Sequence, residues 1–67
     1  MISESDHTYR CSIFLNSGAM ERFRFGKGTG TTIEFDESWV VVDFQNGNMK
    51  LFPTVLVREV FVEKIYD

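Results

Sequence analysis

Residues 39–66 read WVVVDFQNGNMKLFPTVLVREVFVEKIY, an almost unbroken run of strand-forming side chains with Asn46-Gly47 set between two of its halves. That dipeptide constrains the chain more than any other feature. A two-residue type I′ hairpin turn needs positive φ at both central positions, which Asn and Gly tolerate best. Counting outward from such a turn predicts that Gln45 opposes Asn48, Phe44 opposes Met49, Asp43 opposes Lys50, Val42 opposes Leu51 and Val41 opposes Phe52. Side chains alternate between the two faces of a strand. One face then holds Val40, Val42, Phe44, Met49 and Leu51, the expected core. The other holds Trp39, Val41, Asp43, Lys50 and Phe52.

The rest of the chain reads the same way. In 9–15, Tyr9, Cys11, Ile13 and Leu15 alternate with Arg10, Ser12 and Phe14. Asn16-Ser17-Gly18 is a hairpin loop, and 20–25 forms a second strand with Phe23 and Phe25 on one side and Arg22 and Arg24 on the other. Gly26, Gly28 and Gly30 mark a loop, since three glycines in five residues suit neither helix nor strand interior. Residues 31–35 are a short strand expected to bury Ile33 and Phe35, and 36–38 a turn. The fourth strand covers 39–44 and the fifth 48–52. Pro53, which cannot donate to a ladder, ends the fifth. A last strand over 55–66 follows, with a single helical turn at 54–57 as the alternative start. Residues 1–7 are polar, without periodicity, and read as a disordered tail; 8–67 form one small domain. The fold class is therefore all-β, an antiparallel meander of five to six short strands forming a small barrel or a strongly curved sheet.

At 67 residues the chain has room for one domain. A domain this short hides only about 60% of the surface its unfolded form exposes. Small domains compensate with disulfides, metal or self-association. Cys11 is the only cysteine and His7 the only histidine, so an internal disulfide is impossible and a four-ligand zinc site is disfavoured. Ten aromatic residues (seven Phe, two Tyr, one Trp) supply the apolar area instead. The net charge of −3 gives no overall attraction to nucleic acid or anionic membrane. With no long apolar segment, no basic-then-apolar start and one unpaired thiol, the expected location is the cytoplasm.

Leu51-Phe52-Pro53-Thr54-Val55-Leu56-Val57 resembles the end of SH3-like barrels, where a strand, a Pro-led turn and a Val lead into the final strand. The resemblance covers about the last third of the chain and implies a small SH3-like barrel. The acidic, Tyr-rich early loop and paired tryptophans of peptide-binding SH3 domains are absent, so recognition of Pro-rich ligands is not implied. In size and meander pattern the chain is also similar in style to small accessory proteins of phages and prophages. That similarity implies a protein that binds and occupies a host protein, an inhibitor by steric means.

Motifs for chemistry are sparse. Gly26-Lys27-Gly28-Thr29-Gly30-Thr31 lacks the spacing of a phosphate loop and precedes a strand rather than a helix. Arg22-Phe23-Arg24-Phe25-Gly26-Lys27 interleaves cations and rings, faintly like the basic-aromatic strand of cold-shock and RRM domains. Strand alternation nevertheless sends both rings to one side and both arginines to the other. Nucleic-acid binding through Arg22, Arg24 and Lys27 is thus an alternative rather than the main reading. Glu34, Asp36 and Glu37 form an acidic edge without a calcium-loop pattern. It reads as a solvated turn, or as an acidic nucleic-acid mimic. His7 falls in the tail and Cys11 on a core-facing position, so no nucleophile–base set assembles on rigid elements, and no enzyme activity, cofactor or metal is expected.

What stands out is Trp39, Val41 and Phe52 on the face that a half-buried sheet would show to water, with Phe14 also pointing away from its core side. Either barrel closure or the last strand covers this face, or it is a protein interface. The sequence therefore points to a small non-enzymatic protein-interaction module. Trp39, Val41, Phe52 and Phe14 would be its anchors, with Asp43 and Lys50 at the rim, and its partner would be another protein or a second copy. A structural homo-oligomer subunit is the remaining alternative.

Overall fold

The computed structural model of the chain describes residues 7–65. The strands are β1 (Thr8–Leu15), β2 (Met20–Gly26), β3 (Thr32–Phe35), β4 (Trp39–Asp43), β5 (Met49–Pro53) and β6 (Val57–Ile65), with a 3-10 turn, Thr54–Leu56, before β6. Each expected strand is present, with ends shifted by a residue or two, and the last is preceded by the helical turn. The expected tail, apart from His7, lies outside the described residues, as does Tyr66.

The strands form two three-stranded antiparallel sheets, ordered β2-β1-β6 and β3-β4-β5. Among the described residues they do not close into a barrel. Local hairpins account for every pairing except one: β6 returns across the chain to flank β1. This leaves β1 with a ladder on both sides, and Cys11, Ser12 and Ile13 are accordingly buried in succession.

The sheets pack face to face over Cys11, Ile13, Val40, Val42 and Phe52, with Leu15, Phe23, Phe25, Ile33, Phe44, Val57 and Val60 around them. The placement of Cys11 and Ile13 follows from the alternation of β1. Phe23 and Phe25 face this core and Arg22 and Arg24 face away, as strand periodicity requires. Phe35, expected to be buried, is exposed. It shares a face with Val40 across the β3–β4 ladder, but at the end of its short strand it reaches past the core.

The largest departure is the register of β4 against β5. Val40 opposes Phe52, Val41 opposes Leu51, Val42 opposes Lys50 and Asp43 opposes Met49. This is one residue away from the register that a two-residue Asn-Gly turn requires. The Phe44 N–H donates to the Asn48 carbonyl at 3.1 Å, so Gln45, Asn46 and Gly47 make a three-residue loop. Two side chains fix it. Asp43 Oδ1 accepts from the Gln45 N–H at 2.8 Å, and Asn46 Oδ1 accepts from the Asn48 N–H at 3.1 Å. Such short-range acceptance by Asp and Asn shapes turns directly. Gln45 takes φ 63° and Gly47 φ 96°. In a sheet, a slip of one residue moves every side chain of the slipped strand to the other face. Phe52 therefore enters the core, while Met49 and Leu51, expected in the core, turn outward.

Candidate functional site

The slip rebuilds the solvent face of β3-β4-β5. Trp39 lies opposite Pro53, Val41 opposite Leu51, and Met49 beside Asp43. Trp39 is 41% exposed, Leu51 48% and Met49 53%, against 7% for Phe52 on the other side of the sheet. On the neighbouring strand Glu34 opposes Val41 and Thr32 opposes Asp43, so the apolar residues have carboxylates beside them and, among the described residues of these strands, no cation on their face. The apolar character continues past Pro53 into the 3-10 turn, where Val55 and Leu56 are exposed.

Hydrogen bonds hold this surface at its Trp39 end. The Asp36 N–H donates to the Trp39 carbonyl at 2.9 Å and the Thr54 N–H to the Ser38 carbonyl at 2.9 Å. The Thr54 hydroxyl donates to the Glu37 carbonyl at 3.0 Å. The turn after β3 and the turn after β5 are thereby tied together beside Trp39. Asp36 and Glu37 serve that tie with backbone groups, and their side chains are exposed on the turn.

Of the six expected interface residues, Trp39, Val41 and Asp43 share this face and three do not. Phe52 is core. Lys50 sits on the inner side, its Nζ 5.8 Å from the centre of the Phe23 ring and 5.9 Å from that of Phe52, and it pairs with Glu21. The expected Asp43–Lys50 pair does not form, because the register places Val42 opposite Lys50. Phe14 belongs to the other sheet, on its outer face, under the Arg58 guanidinium at 6.0 Å. Leu51, Met49 and Pro53 were missed as surface residues. The readable signal for them was the Asp43 and Asn46 pair of turn-forming side chains.

Arg22 and Arg24 lie on the outer face of β2-β1-β6, while Lys27 is in the glycine loop, its carbonyl accepting from the Thr8 hydroxyl at 2.7 Å. At Gly26 the chain leaves the first sheet for the second with φ 102°, and a Cβ there would come within 2.5 Å of the His7 carbonyl oxygen. Burial pushes the Cys11 thiol above its ordinary range, so it is a poor nucleophile. Among the described residues no group of three His, Cys, Asp or Glu side chains is placed to hold a metal ion. No helix among them is long and apolar enough to cross a membrane. No family model, curated protein or solved structure matches the chain.

Proposed function

We propose that the chain is a small, non-enzymatic protein-interaction module that docks a partner on the outer face of β3-β4-β5. The observation that carries this reading is the exposure of Trp39, Leu51 and Met49 together on one sheet face, while Val40, Val42 and Phe52 on its reverse side are buried in the core. Contiguous exposed apolar residues mark contact sites, and tryptophan is over-represented among those that dominate binding. The tied turns beside Trp39 support pre-organisation, so little ordering is needed on docking.

Charge selects the kind of partner. A two-fold contact between two copies of this face would set Glu34 and Asp43 against like charges, with no cation on the face to relieve them. A different protein with an apolar centre and a lysine- or arginine-bearing rim fits instead. The mechanism is steric occupancy, as the similarity in style to phage and prophage accessory proteins implies. An SH3-like arrangement of the strands, with the 3-10 turn leading into β6, is the finer fold reading that goes with a binding role. The buried free thiol of Cys11 supports a reducing compartment such as the cytoplasm.

The test is capture from lysate of the native host by the wild-type chain and by Trp39→Arg/Leu51→Glu. The expected result is a partner retained by the first and weakened at least about 30-fold with the second, the scale of losing two central anchors. Equal retention by a folded double variant overturns the proposal.

A further inference from the structure

The opposite outer face, that of β2-β1-β6, has a different composition. The ladder sets Arg24, Arg10 and Glu63 in one row and Arg22, Ser12 and Phe61 in the next. Arg58 joins them over the Phe14 ring. Four arginines against two glutamates, Glu59 and Glu63, leave this face at +2 in a chain of net charge −3. Everything else therefore carries −5, and all four arginines are gathered on one surface.

Two of these cations are spoken for. The Arg10 Nε donates to Glu63 Oε1 at 3.0 Å, and Arg58 covers Phe14. Arg22 is held across the sheet by its Nε donating to Ser12 Oγ at 3.2 Å, and its outer N–H groups are unengaged among the described residues. Arg24, exposed, has no hydrogen-bond or ion-pair partner among the described residues. In the row of Arg22 stands Phe61, 51% exposed on β6, the edge strand. An exposed ring with arginines alongside is what the Phe23 and Phe25 strand alone does not make. It arises here because β6, distant in sequence, brings its ring to the arginine face.

We propose that this face binds single-stranded nucleic acid, with one base stacked on Phe61 and the backbone phosphates on Arg22 and Arg24. Successive same-face positions on a strand are about 6.8 Å apart. That is close to the phosphate spacing of an extended single strand, so Arg22 and Arg24 meet neighbouring phosphates. A guanidinium binds phosphate in a fork of two N–H donors, and both arginines have such donors open. A duplex keeps its bases stacked on each other and forfeits Phe61. An acidic peptide meets the charges but gains nothing particular from a ring at that position.

The experiment is fluorescence anisotropy with labelled mixed-sequence oligonucleotides of about 12 residues, a length within the range such surfaces cover. Single-stranded DNA, single-stranded RNA, the DNA duplex and an oligo-glutamate peptide are compared at several salt concentrations. The expected result is binding of a single strand in preference to duplex and peptide. Its log–log salt slope should be about −1.4, the value for two phosphates. Phe61→Leu, which keeps apolar area but loses the ring, weakens binding about tenfold without changing the slope, and Phe61→Tyr restores it. Arg24→Gln flattens the slope by about 0.7. The Trp39→Arg/Leu51→Glu variant binds the oligonucleotide as the wild type does, which separates this face from the protein-docking face. Absence of single-strand binding at low salt overturns the proposal. So does binding indifferent to Phe61→Leu, and so does equal affinity for the peptide. Circular dichroism of each variant confirms that the sheets are intact before its binding is compared.

Discussion

The two sheets share one core and have three strands each, yet their outer faces deal with apolar side chains in different ways. On β2-β1-β6 the Phe14 ring lies under Arg58, and polar pairs stand in the rows beside it, Arg22 with Ser12 and Arg10 with Glu63. On β3-β4-β5, Trp39, Val41, Leu51 and Met49 adjoin each other, and among the described residues the charges on their face are the carboxylates of Glu34 and Asp43. The difference teaches that the modest net charge of −3 is an average over two unlike surfaces. One is basic and suits a polyanion; the other is apolar with acidic margins and suits a protein.

Whether the two surfaces depend on one core can be broken at Ile13, which is fully buried between the sheets. Ile13→Ala is expected to destabilise the chain by about 2–5 kcal/mol in urea titration. Signals from both sheets should be lost in a single transition; two separate transitions would show that the sheets are independent units. A smaller effect is expected at Gly26, the exit from one sheet toward the other. Gly26→Ala combines positive φ with contact against the His7 carbonyl and should destabilise by at least about 2 kcal/mol. Gly28→Ala, where a Cβ meets open space, carries only the φ strain of about 1–2 kcal/mol. Equal melting temperatures for the two variants would refute the close approach at Gly26.

Cys11 gives a pH dependence to the shared core. Burial raises its thiol in the folded chain above the unfolded value. The unfolded chain then gives up the proton first, so this contribution is complete below the ordinary thiol pKa of about 8.5 and is lost as pH rises through the folded value. The slope due to this one group is at most about 1.4 kcal/mol per pH unit. It should vanish from chemical-denaturation curves of Cys11→Ala, and an unchanged slope would contradict the assignment. The smallest effect is expected where the sheets meet at Lys50. Lys50→Gln removes the pair with Glu21, and both partners are partly exposed, so the loss should stay below about 1 kcal/mol and shrink in high salt.

Much of the architecture is legible in the sequence, because alternation in β2 sends both rings to one side and both arginines to the other, and alternation in β1 sends Cys11 and Ile13 to the core. The two hairpin loops show where legibility ends. Asn16-Ser17-Gly18 and Gln45-Asn46-Gly47 are both three-residue loops closing on a glycine, at φ 97° and 96°. Around the first, Arg10, Arg22 and Arg24 mark the outer side, and a slip would turn charges toward the core. Around the second, Val40-Val41-Val42 and Leu51-Phe52 are apolar on both sides, so the pattern does not oppose a slip of one residue. The choice falls to the Asp43 and Asn46 side chains, whose hydrogen bonds make the longer loop. The placing of Phe61 in one row with Arg22, across Ser12, is illegible for another reason: it depends on pairing between β1 and β6, which no local pattern encodes.

The position of the lone tryptophan has a practical consequence. Its indole is partly exposed on β4, on the face away from the arginines, so intrinsic emission would report a protein docked on that face and be blind to an oligonucleotide on the other. A docked protein should shift the spectrum to the blue, whereas a bound oligonucleotide should leave it unaltered. Two occupants could thus be followed in the same cuvette, one by indole emission and the other by the label it carries.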